Sequence, residues 1–289
     1  MDEETRNAQR GFRNAKPEIG ANVMVDTNDG TGNGSQPLIS VKNVCLSYGN
    51  FRALTDVSVD FFPGELVGLV GDNGAGKTTL IRILSGIIAP DSGEVYFDGQ
   101  RITRFYPKLA IALGVESIQQ TIGLCDNLSV TRNYFLGREL VRRILGLRFL
   151  AKKEMHDICT KVVRDFGLRE SIDVEDEISL LSGGEKQTFK IARAVSFRNR
   201  VIIMDEPTNH LSVRERGRVN ELAVQLKQQG LLVIYITHDI FQIHRIADRI
   251  VILENGRKVA DVRRDAMSAE ELEEIIRHGG VRPSASSHM

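Results

Sequence analysis

The chain has 289 residues, and its 38 basic and 38 acidic side chains give a formal net charge of zero. This balance argues against a bulk binder of nucleic acid or of anionic membranes, so no nucleic-acid partner is expected. The hydrophobic content of 42% is ordinary for a globular protein, and the length suffices for one large domain or two small ones.

The cysteines and the lack of long apolar runs predict the compartment. Cys45, Cys125 and Cys159 are scattered, with no C-x-x-C pair, which favours a reducing compartment over a disulfide framework or a zinc site. The first residues lack the basic and apolar regions of a signal peptide, and no apolar run approaches the roughly 20 residues that span a bilayer. We therefore expect a soluble, cytoplasmic protein that reaches a membrane only through a partner.

The two ends of the chain differ in composition from the rest. Residues 1–36 contain a single aromatic, Phe12, and end in a run rich in Gly, Asn and Thr, which predicts a disordered N-terminal tail. Residues 281–289 are predicted to form a flexible C-terminal tail. The sequence therefore predicts one folded domain over residues 37–280.

Strand patterns open the folded part of the chain. Two runs rich in β-branched residues, 38–44 and 56–62, predict strands, and the apolar run 66–70 predicts a buried strand. Residues 79–84 follow with helical spacing. A short strand is expected at residues 94–97, between two turns.

The pattern changes after residue 118. Met155, Ile158, Val162 and Phe166 recur at intervals of three and four, which is helical spacing. We therefore expect a small helical subdomain, at about residues 121–182, inserted into an α/β domain.

Strands and helices alternate again from residue 200 onward. The apolar runs 201–204 and 231–236 predict parallel strands buried on both faces. The remaining expected elements are an amphipathic helix at 213–229, a hairpin of 249–253 with 257–260, and a closing helix at 269–277. This alternation predicts the α/β class.

The residues that follow the 66–70 strand fit the phosphate-binding pattern G-x-x-x-x-G-K-[ST]. Glycines let the backbone curl so that its N–H groups point at phosphate oxygens, and the new helix adds its positive end. In this pattern Lys77 reaches the β- and γ-phosphates, and the Thr78 hydroxyl can ligate Mg²⁺. The full set of candidate positions is Gly71, Asp72, Asn73, Gly74, Ala75, Gly76, Lys77, Thr78 and Thr79. The alternative, a glycine-rich turn that binds nothing, is disfavoured by the flanking strand and helix.

Two further patterns carry polar groups that suit a nucleotide site. Asp205 and Glu206 end an apolar strand; the first carboxylate is expected near Mg²⁺ and the second as a general base for water. Ser182, Gly183 and Gly184 begin a helix, where a capping hydroxyl and bare backbone N–H groups make a second anion-binding end. Solvated acids and a plain capped helix are the alternatives for each pattern taken alone.

In this order, the motifs resemble the nucleotide-binding subunits of ATP-binding-cassette (ABC) proteins over residues 38–265. The resemblance rests on Tyr48, the phosphate loop, Gln120, the Leu-Ser-Gly-Gly-Glu run at 181–185, the Asp205–Glu206 pair and His238. It implies a P-loop NTPase (RecA-like) core with an antiparallel β subdomain and an inserted α-helical subdomain. It also implies ATP and Mg²⁺ as cofactors, and makes 37–280 an ABC ATP-binding domain.

The same resemblance implies individual roles. Tyr48 would stack on adenine, although Phe51 lies close by. Gln120, or its neighbour Gln119, would contact Mg²⁺ and the attacking water and couple the site to a membrane partner. His238 would bond to the γ-phosphate and orient the general base. The implied catalytic residues are therefore Glu206, His238, Lys77 and Gln120, and the implied metal-binding residues are Thr78, Gln120 and Asp205.

Family members pair head to tail, so the resemblance implies a homodimer in which ATP lies between two copies. Ser182 and Gly184 of one copy would then grip the γ-phosphate that Lys77 of the other holds. One departure concerns Ser212, which stands where many members have Asp. Residues 211–215 suit the ribose- and fructose-type importer branch, whereas residues 207–211 also resemble members that act on ribosomes.

The expected function is therefore that of an ATP-hydrolysing subunit that powers an importer, for a simple sugar. It would lie peripherally on the cytoplasmic face of the membrane, under two transmembrane permease subunits, with an extracytoplasmic binding protein delivering the substrate. The alternatives are a soluble ABC ATPase acting on ribosomes or nucleic acid, and a regulator that binds nucleotide without hydrolysis.

Overall fold

The structure is a computed structural model that describes residues 36–118, 124–144, 147–166, 168, 172–197, 199–209 and 211–277. Both predicted tails lie outside the described residues, apart from Gln36. None of the helices that it describes combines the length and the apolar character needed to cross a membrane.

A mainly parallel sheet of six strands lies at the centre of the fold. Its strands, in spatial order, are β12 (Arg257–Arg263), β11 (Arg249–Glu254), β3 (Leu66–Val70), β10 (Leu232–Ile236), β9 (Val201–Asp205) and β6 (Val115–Ile118). Only β12 runs antiparallel to its neighbour. Every residue of β3 and β10 is buried, because hydrophobic clusters cover both faces of the sheet. The predicted α/β class and its buried parallel strands are confirmed.

A second sheet of four strands is antiparallel throughout. In spatial order it contains β2 (Phe51–Phe61), β1 (Ile39–Tyr48), β4 (Ser92–Phe97) and β5 (Gln100–Arg101). The hairpin of β1 and β2 extends beyond the predicted runs, to a turn where Tyr48 pairs with Phe51. The implied antiparallel β subdomain is therefore present.

The helices pack around these sheets. They are α1 (Lys77–Leu84), α2 (Pro107–Ala112), α3 (Val130–Tyr134), α4 (Lys152–Asp165), α5 (Gly183–Ser196), α6 (Val213–Gln228), α7 (Ile240–His244) and α8 (Ala269–Arg277). Short 3₁₀ turns occur at Ile178–Leu180 and Arg264–Ala266.

The inserted region has a core of its own, formed by α3, α4 and the first half of α5. Tyr134, Phe135, Cys159 and Phe189 are buried there, and the Tyr134 and Phe135 rings meet edge to face at 4.7 Å between centroids. These aromatic contacts and the burial of apolar surface stabilise the insertion.

The helical insertion also contains a pair of strands, at Val141–Ile144 and Leu147–Leu150, which its helical spacing did not predict. The structure has an antiparallel hairpin there, formed by β7 (Val141–Ile144) and β8 (Leu147–Leu150). The helical spacing at 155–166 does not extend back over this segment, where the β-branched Val141 and the aromatic Phe149 favour strand pairing.

The buried cysteine of the insertion provides a test of this core. Burial raises the pKa of the Cys159 thiol to about 12, whereas Cys125 is exposed and Cys45 is partly exposed. Backbone and arginine hydrogen bonds lower the pKa of Cys45. Because the thiolate is the reactive form, we expect Ellman's reagent at pH 8 to label Cys45 and Cys125 in the folded protein. Cys159 should react only after urea is added, and rapid labelling of all three thiols would contradict this core.

Candidate functional site

The phosphate loop connects β3 to α1 at the carboxyl edge of the central sheet, where parallel sheets hold their ligands. Gly71 has φ of 147°, and a Cβ atom there would lie 2.1 Å from the Leu253 carbonyl oxygen. Gly76 has φ of 100°, and its Cβ would lie 2.8 Å from the Ala53 carbonyl oxygen. Only glycine fits at these two positions, because side chains clash there and disfavour positive φ.

Lys77 is the first residue of α1, and only 7% of it is exposed. Its Nζ donates to the carbonyl oxygens of Gly71 at 2.5 Å and Asp72 at 3.0 Å, so the side chain folds back over the loop. Burial lowers the pKa of Lys77, while the carboxylates of Glu206 and Asp205 oppose that shift. The ammonium group is thus held inside the loop, facing two acids.

Both acids lie at the carboxyl end of β9, which is separated from β3 by β10. Asp205 is the last residue of β9 and is paired in register with Ile236 of β10. Burial raises the pKa of Asp205, and the nearby Glu206 carboxylate raises it further. A raised pKa marks a carboxylate that lacks solvent and benefits from a bound cation.

Glu206 adopts a left-handed backbone conformation with φ of 48°, and its N–H donates to the Ile236 carbonyl at 3.1 Å. Its Oε1 lies 3.1 Å from Nδ1 of His238. Its Oε2 is buried and has no hydrogen-bond partner among the described residues. An unpaired buried carboxylate oxygen is costly and indicates a position for a water or a ligand.

The phosphate loop and both acids line one cleft of about 310 Å³. Its lining consists of Phe51, Ala53, Asn73, Gly74, Ala75, Gly76, Lys77, Thr78, Thr79, Asp205 and Glu206. The Thr78 hydroxyl and the Asp205 carboxylate therefore border the same space. Such oxygen ligands suit Mg²⁺, which keeps waters and binds substrate phosphates beside one or two protein groups.

An aromatic residue at this cleft differs from the one singled out in the sequence. Phe51 lines the cleft and is 61% exposed, whereas Tyr48 is 44% exposed and does not line it. The two residues pair across the β1–β2 turn, and only their closeness in the sequence pointed to Phe51. Gln120 lies outside the described residues, as does Gln119.

The second predicted anion-binding helix end is not part of this cleft. Ser182 caps α5 in a reciprocal box with Glu185: its hydroxyl accepts the Glu185 N–H, and the Glu185 carboxylate accepts the Ser182 N–H. Gly183 and Gly184 form the first turn, and a Cβ on Gly184 would lie 2.0 Å from a Glu215 carboxylate oxygen. Ser182 and Gly184 line a separate groove between α5 and α6.

Comparison with known proteins shows which family shares these motifs. The family model described as "ABC transporter" matches residues 54–209 of the chain. The chain belongs to the ABC transporter family. Membership confirms the expected resemblance and the ATPase class, with a cassette that binds nucleotide.

Relatives extend the similarity over most of the cassette. The chain is 40% identical to the xylose/arabinose import ATP-binding protein of Sulfolobus acidocaldarius, over 83% of this chain and 93% of that one. It is 35% identical to the fructose import ATP-binding protein of Rhizobium meliloti, over 78% and 87% of the two chains. A ribose import ATP-binding protein of Escherichia coli O157:H7 is 37% identical, and there the chain spans 46% of the relative.

Solved structures share the fold. A dimeric ATP-binding cassette in a post-hydrolysis state, bound to ADP and Pi, superposes with a TM-score of 0.67 at 24% identity, over 78% of this chain and 98% of that one. An ATP-binding subunit of an ABC transporter superposes with a TM-score of 0.63 at 26% identity, over 86% and 95% of the chains. The predicted P-loop NTPase fold is therefore confirmed.

The structure shows the role of Ser212, which stands where many family members have Asp. Ser212 caps α6, and its hydroxyl accepts the Glu215 N–H while the Glu215 carboxylate accepts the Ser212 N–H. Aspartate and serine are comparable as helix caps, so the substitution preserves the start of α6.

We expect Ser212→Ala to lower the free energy of unfolding by about 1 kcal/mol, because it removes the cap. Ser212→Asp should stay within about 0.5 kcal/mol of the parent. Urea unfolding followed by circular dichroism measures both, and equal losses in the two variants would contradict the capping role.

Proposed function

We propose that this cassette is the ATP-hydrolysing subunit of a membrane importer for a simple sugar. The observation that carries the proposal is its identity to sugar-import ATP-binding proteins, 40% and 35%, over 93% and 87% of their lengths. The run at residues 211–215 also suits this branch. The proposal places the cassette peripherally on the cytoplasmic face of the membrane, beneath two permease subunits.

The cleft supports binding of ATP with Mg²⁺. In the proposed complex the loop N–H groups and Lys77 bind the β- and γ-phosphates, while Thr78 and Asp205 hold the metal. Bound Mg²⁺ would neutralise charge that develops on the phosphate oxygens. Lys77 would exchange its present bonds to two carbonyl groups for bonds to phosphate. Phe51 and Tyr48, on either side of the turn, are the aromatic candidates for stacking on the base.

Hydrolysis needs an activated water, and Glu206 is the candidate base. Its contact with His238 at 3.1 Å orients one oxygen, and the other, Oε2, is free to accept a proton from water. His238 would donate to the γ-phosphate from its exposed side. Gln120 keeps its proposed place beside the metal and the attacking water.

The positions of the two anion-binding helix ends support a head-to-tail dimer. Ser182, Gly183 and Gly184 line or border a groove distinct from the Lys77 cleft, so one chain does not bring the two ends onto one phosphate. A second copy can supply the missing end, as the resemblance implies. ATP would then lie between the copies and hold them together.

Purification from native membranes tests the importer proposal. Tagged cassette, isolated in mild detergent, is expected to recover two permease subunits, and the complex should hydrolyse ATP several-fold faster when a sugar-loaded binding protein is added. Co-sedimentation with ribosomes instead, or ATPase activity indifferent to permease and sugar, would contradict the proposal.

A further inference from the structure

A partly buried polar network adjoins the loop that carries Glu206. At its centre is the Gln242 side chain, on α7, four residues after His238. The Gln242 Nε2 lies 2.9 Å from the Tyr235 hydroxyl and 2.9 Å from Oδ1 of Asn220. The Tyr235 hydroxyl in turn donates to the same Asn220 oxygen at 2.9 Å. One amide therefore joins β10, α6 and α7.

The same amide reaches the loop that carries Glu206. Thr208, two residues after Glu206, is 5% exposed, and its hydroxyl donates to Oε1 of Gln242 at 3.3 Å. On the other side of this loop, Nε2 of Gln187 on α5 donates to the Pro207 carbonyl at 3.1 Å. The loop is thus hydrogen-bonded to both α7 and α5.

Such attachment matters because the Glu206 backbone is strained. A non-glycine residue at φ of 48° persists only where surrounding contacts determine the conformation. Gln242 is itself fixed, since its N–H donates to the Asp239 carboxylate at 2.9 Å, next to His238. Gln242 therefore connects Asp239, which follows His238 in the chain, to Thr208, which lies two positions after Glu206.

We propose that Gln242 is a positioning residue for ATP hydrolysis, holding Glu206 and His238 in their mutual orientation through Thr208. The inference rests on the proposed role of Glu206 and does not depend on what is transported. Gln242 does not line the cleft, so it should affect turnover and not nucleotide affinity.

Two substitutions at this position separate positioning from packing. Gln242→Met keeps the length of the side chain and removes its polar atoms, which leaves the Thr208 hydroxyl without its partner on α7. Gln242→Glu retains an acceptor for Thr208 and Tyr235, and the Asn220 amide can turn over to donate to it. A conservative variant should therefore rescue what the apolar variant loses.

We expect Gln242→Met to lower kcat about 10-fold, since small displacements of a catalytic group cost large factors. The Kd for a fluorescent ATP analogue should change by less than about 2-fold. Gln242→Glu should keep kcat within about 3-fold of the parent. Gln228→Met, at an exposed position near the end of α6, is the matched control and should match the parent.

The network can also be tested from its other end, which guards against a variant that fails to fold. Thr208→Val should lower kcat by a similar factor, while Thr208→Ser, which retains the hydroxyl, should not. Because both residues act through one contact, the double variant Gln242→Met with Thr208→Val should be no slower than the worse single variant.

Several results would overturn the inference. These are a parental kcat in Gln242→Met, equal losses in Gln242→Met and Gln242→Glu, a Kd that rises in step with the loss of kcat, or additive effects in the double variant. The role of Glu206 is judged separately. If Glu206→Gln abolishes turnover while Gln242→Met does not lower it, only this inference fails; if Glu206→Gln has no effect, the role of Glu206 fails first.

Discussion

Glu206→Gln is expected to bind ATP normally and to hydrolyse it at least 100-fold more slowly than the parent. The amide preserves the size of the side chain and its contact with His238, 3.1 Å away, but it cannot accept a proton from water. General-base contributions are typically of the order of 100-fold to 10,000-fold, which sets this scale. Single-turnover hydrolysis with radiolabelled ATP measures the loss directly.

Trapping of the dimer is the second readout for this variant. If ATP holds two cassettes together and hydrolysis releases them, Glu206→Gln should accumulate as a dimer in the presence of ATP and Mg²⁺. Sedimentation equilibrium detects it. Glu270→Gln, an exposed position on α8, serves as the control and should remain parental in both assays. Unimpaired turnover in Glu206→Gln would remove this carboxylate from the mechanism.

Lys77→Gln is expected to weaken ATP binding by about 100-fold. Charge-assisted bonds to a buried anion are worth about 2–4 kcal/mol, and the substitution removes the cationic donor that the loop encloses. Folding should be little affected, because the charged form of Lys77 is disfavoured by burial and the amide can still donate to the Gly71 carbonyl. Titration of a fluorescent ATP analogue measures the loss of affinity.

Two comparisons make the Lys77 result specific. Lys108→Gln removes one positive charge from an exposed position on α2 and should leave nucleotide affinity unchanged. Thermal unfolding of Lys77→Gln should lie within a few degrees of the parent, so that lost binding is not lost folding. Retention of parental affinity in Lys77→Gln would show that this cleft is not the nucleotide site.

Local sequence patterns predicted the parts of the site that depend on local backbone geometry. Positions 71 and 76 need glycine because φ is positive there and a carbonyl oxygen lies close by. The spacing of these glycines can therefore be recognised in the sequence. The start of the helix after Ser182 is likewise predictable, because the capping serine and Glu185 stand three residues apart. The buried strands before Gly71 and Asp205 were predictable for the same reason, since an uninterrupted apolar run suits a strand covered on both faces.

Contacts between segments that are distant in the sequence were harder to predict from the sequence. Phe51 and Tyr48 are equivalent aromatics in the sequence, and only the turn of the β1–β2 hairpin directs Phe51 to the cleft. The hairpin at 141–150 was missed because a short segment of mixed apolar and basic residues does not distinguish strand from helix. The hydrogen-bonded pairing of β7 with β8 shows that this segment forms strands.

The phosphate loop, the acidic end of β9 and the capped start of α5 are therefore properties of the amino-acid sequence alone, because each depends on residues within one turn or one strand. Their assembly is a property of the tertiary structure. Parallel pairing of β3, β10 and β9 brings Lys77, His238 and Asp205 to one edge of the sheet. The same packing places Ser182 on a separate groove and the partly buried Gln242 beside the Glu206 loop, because long-range packing and hydrogen bonding decide which side chains meet.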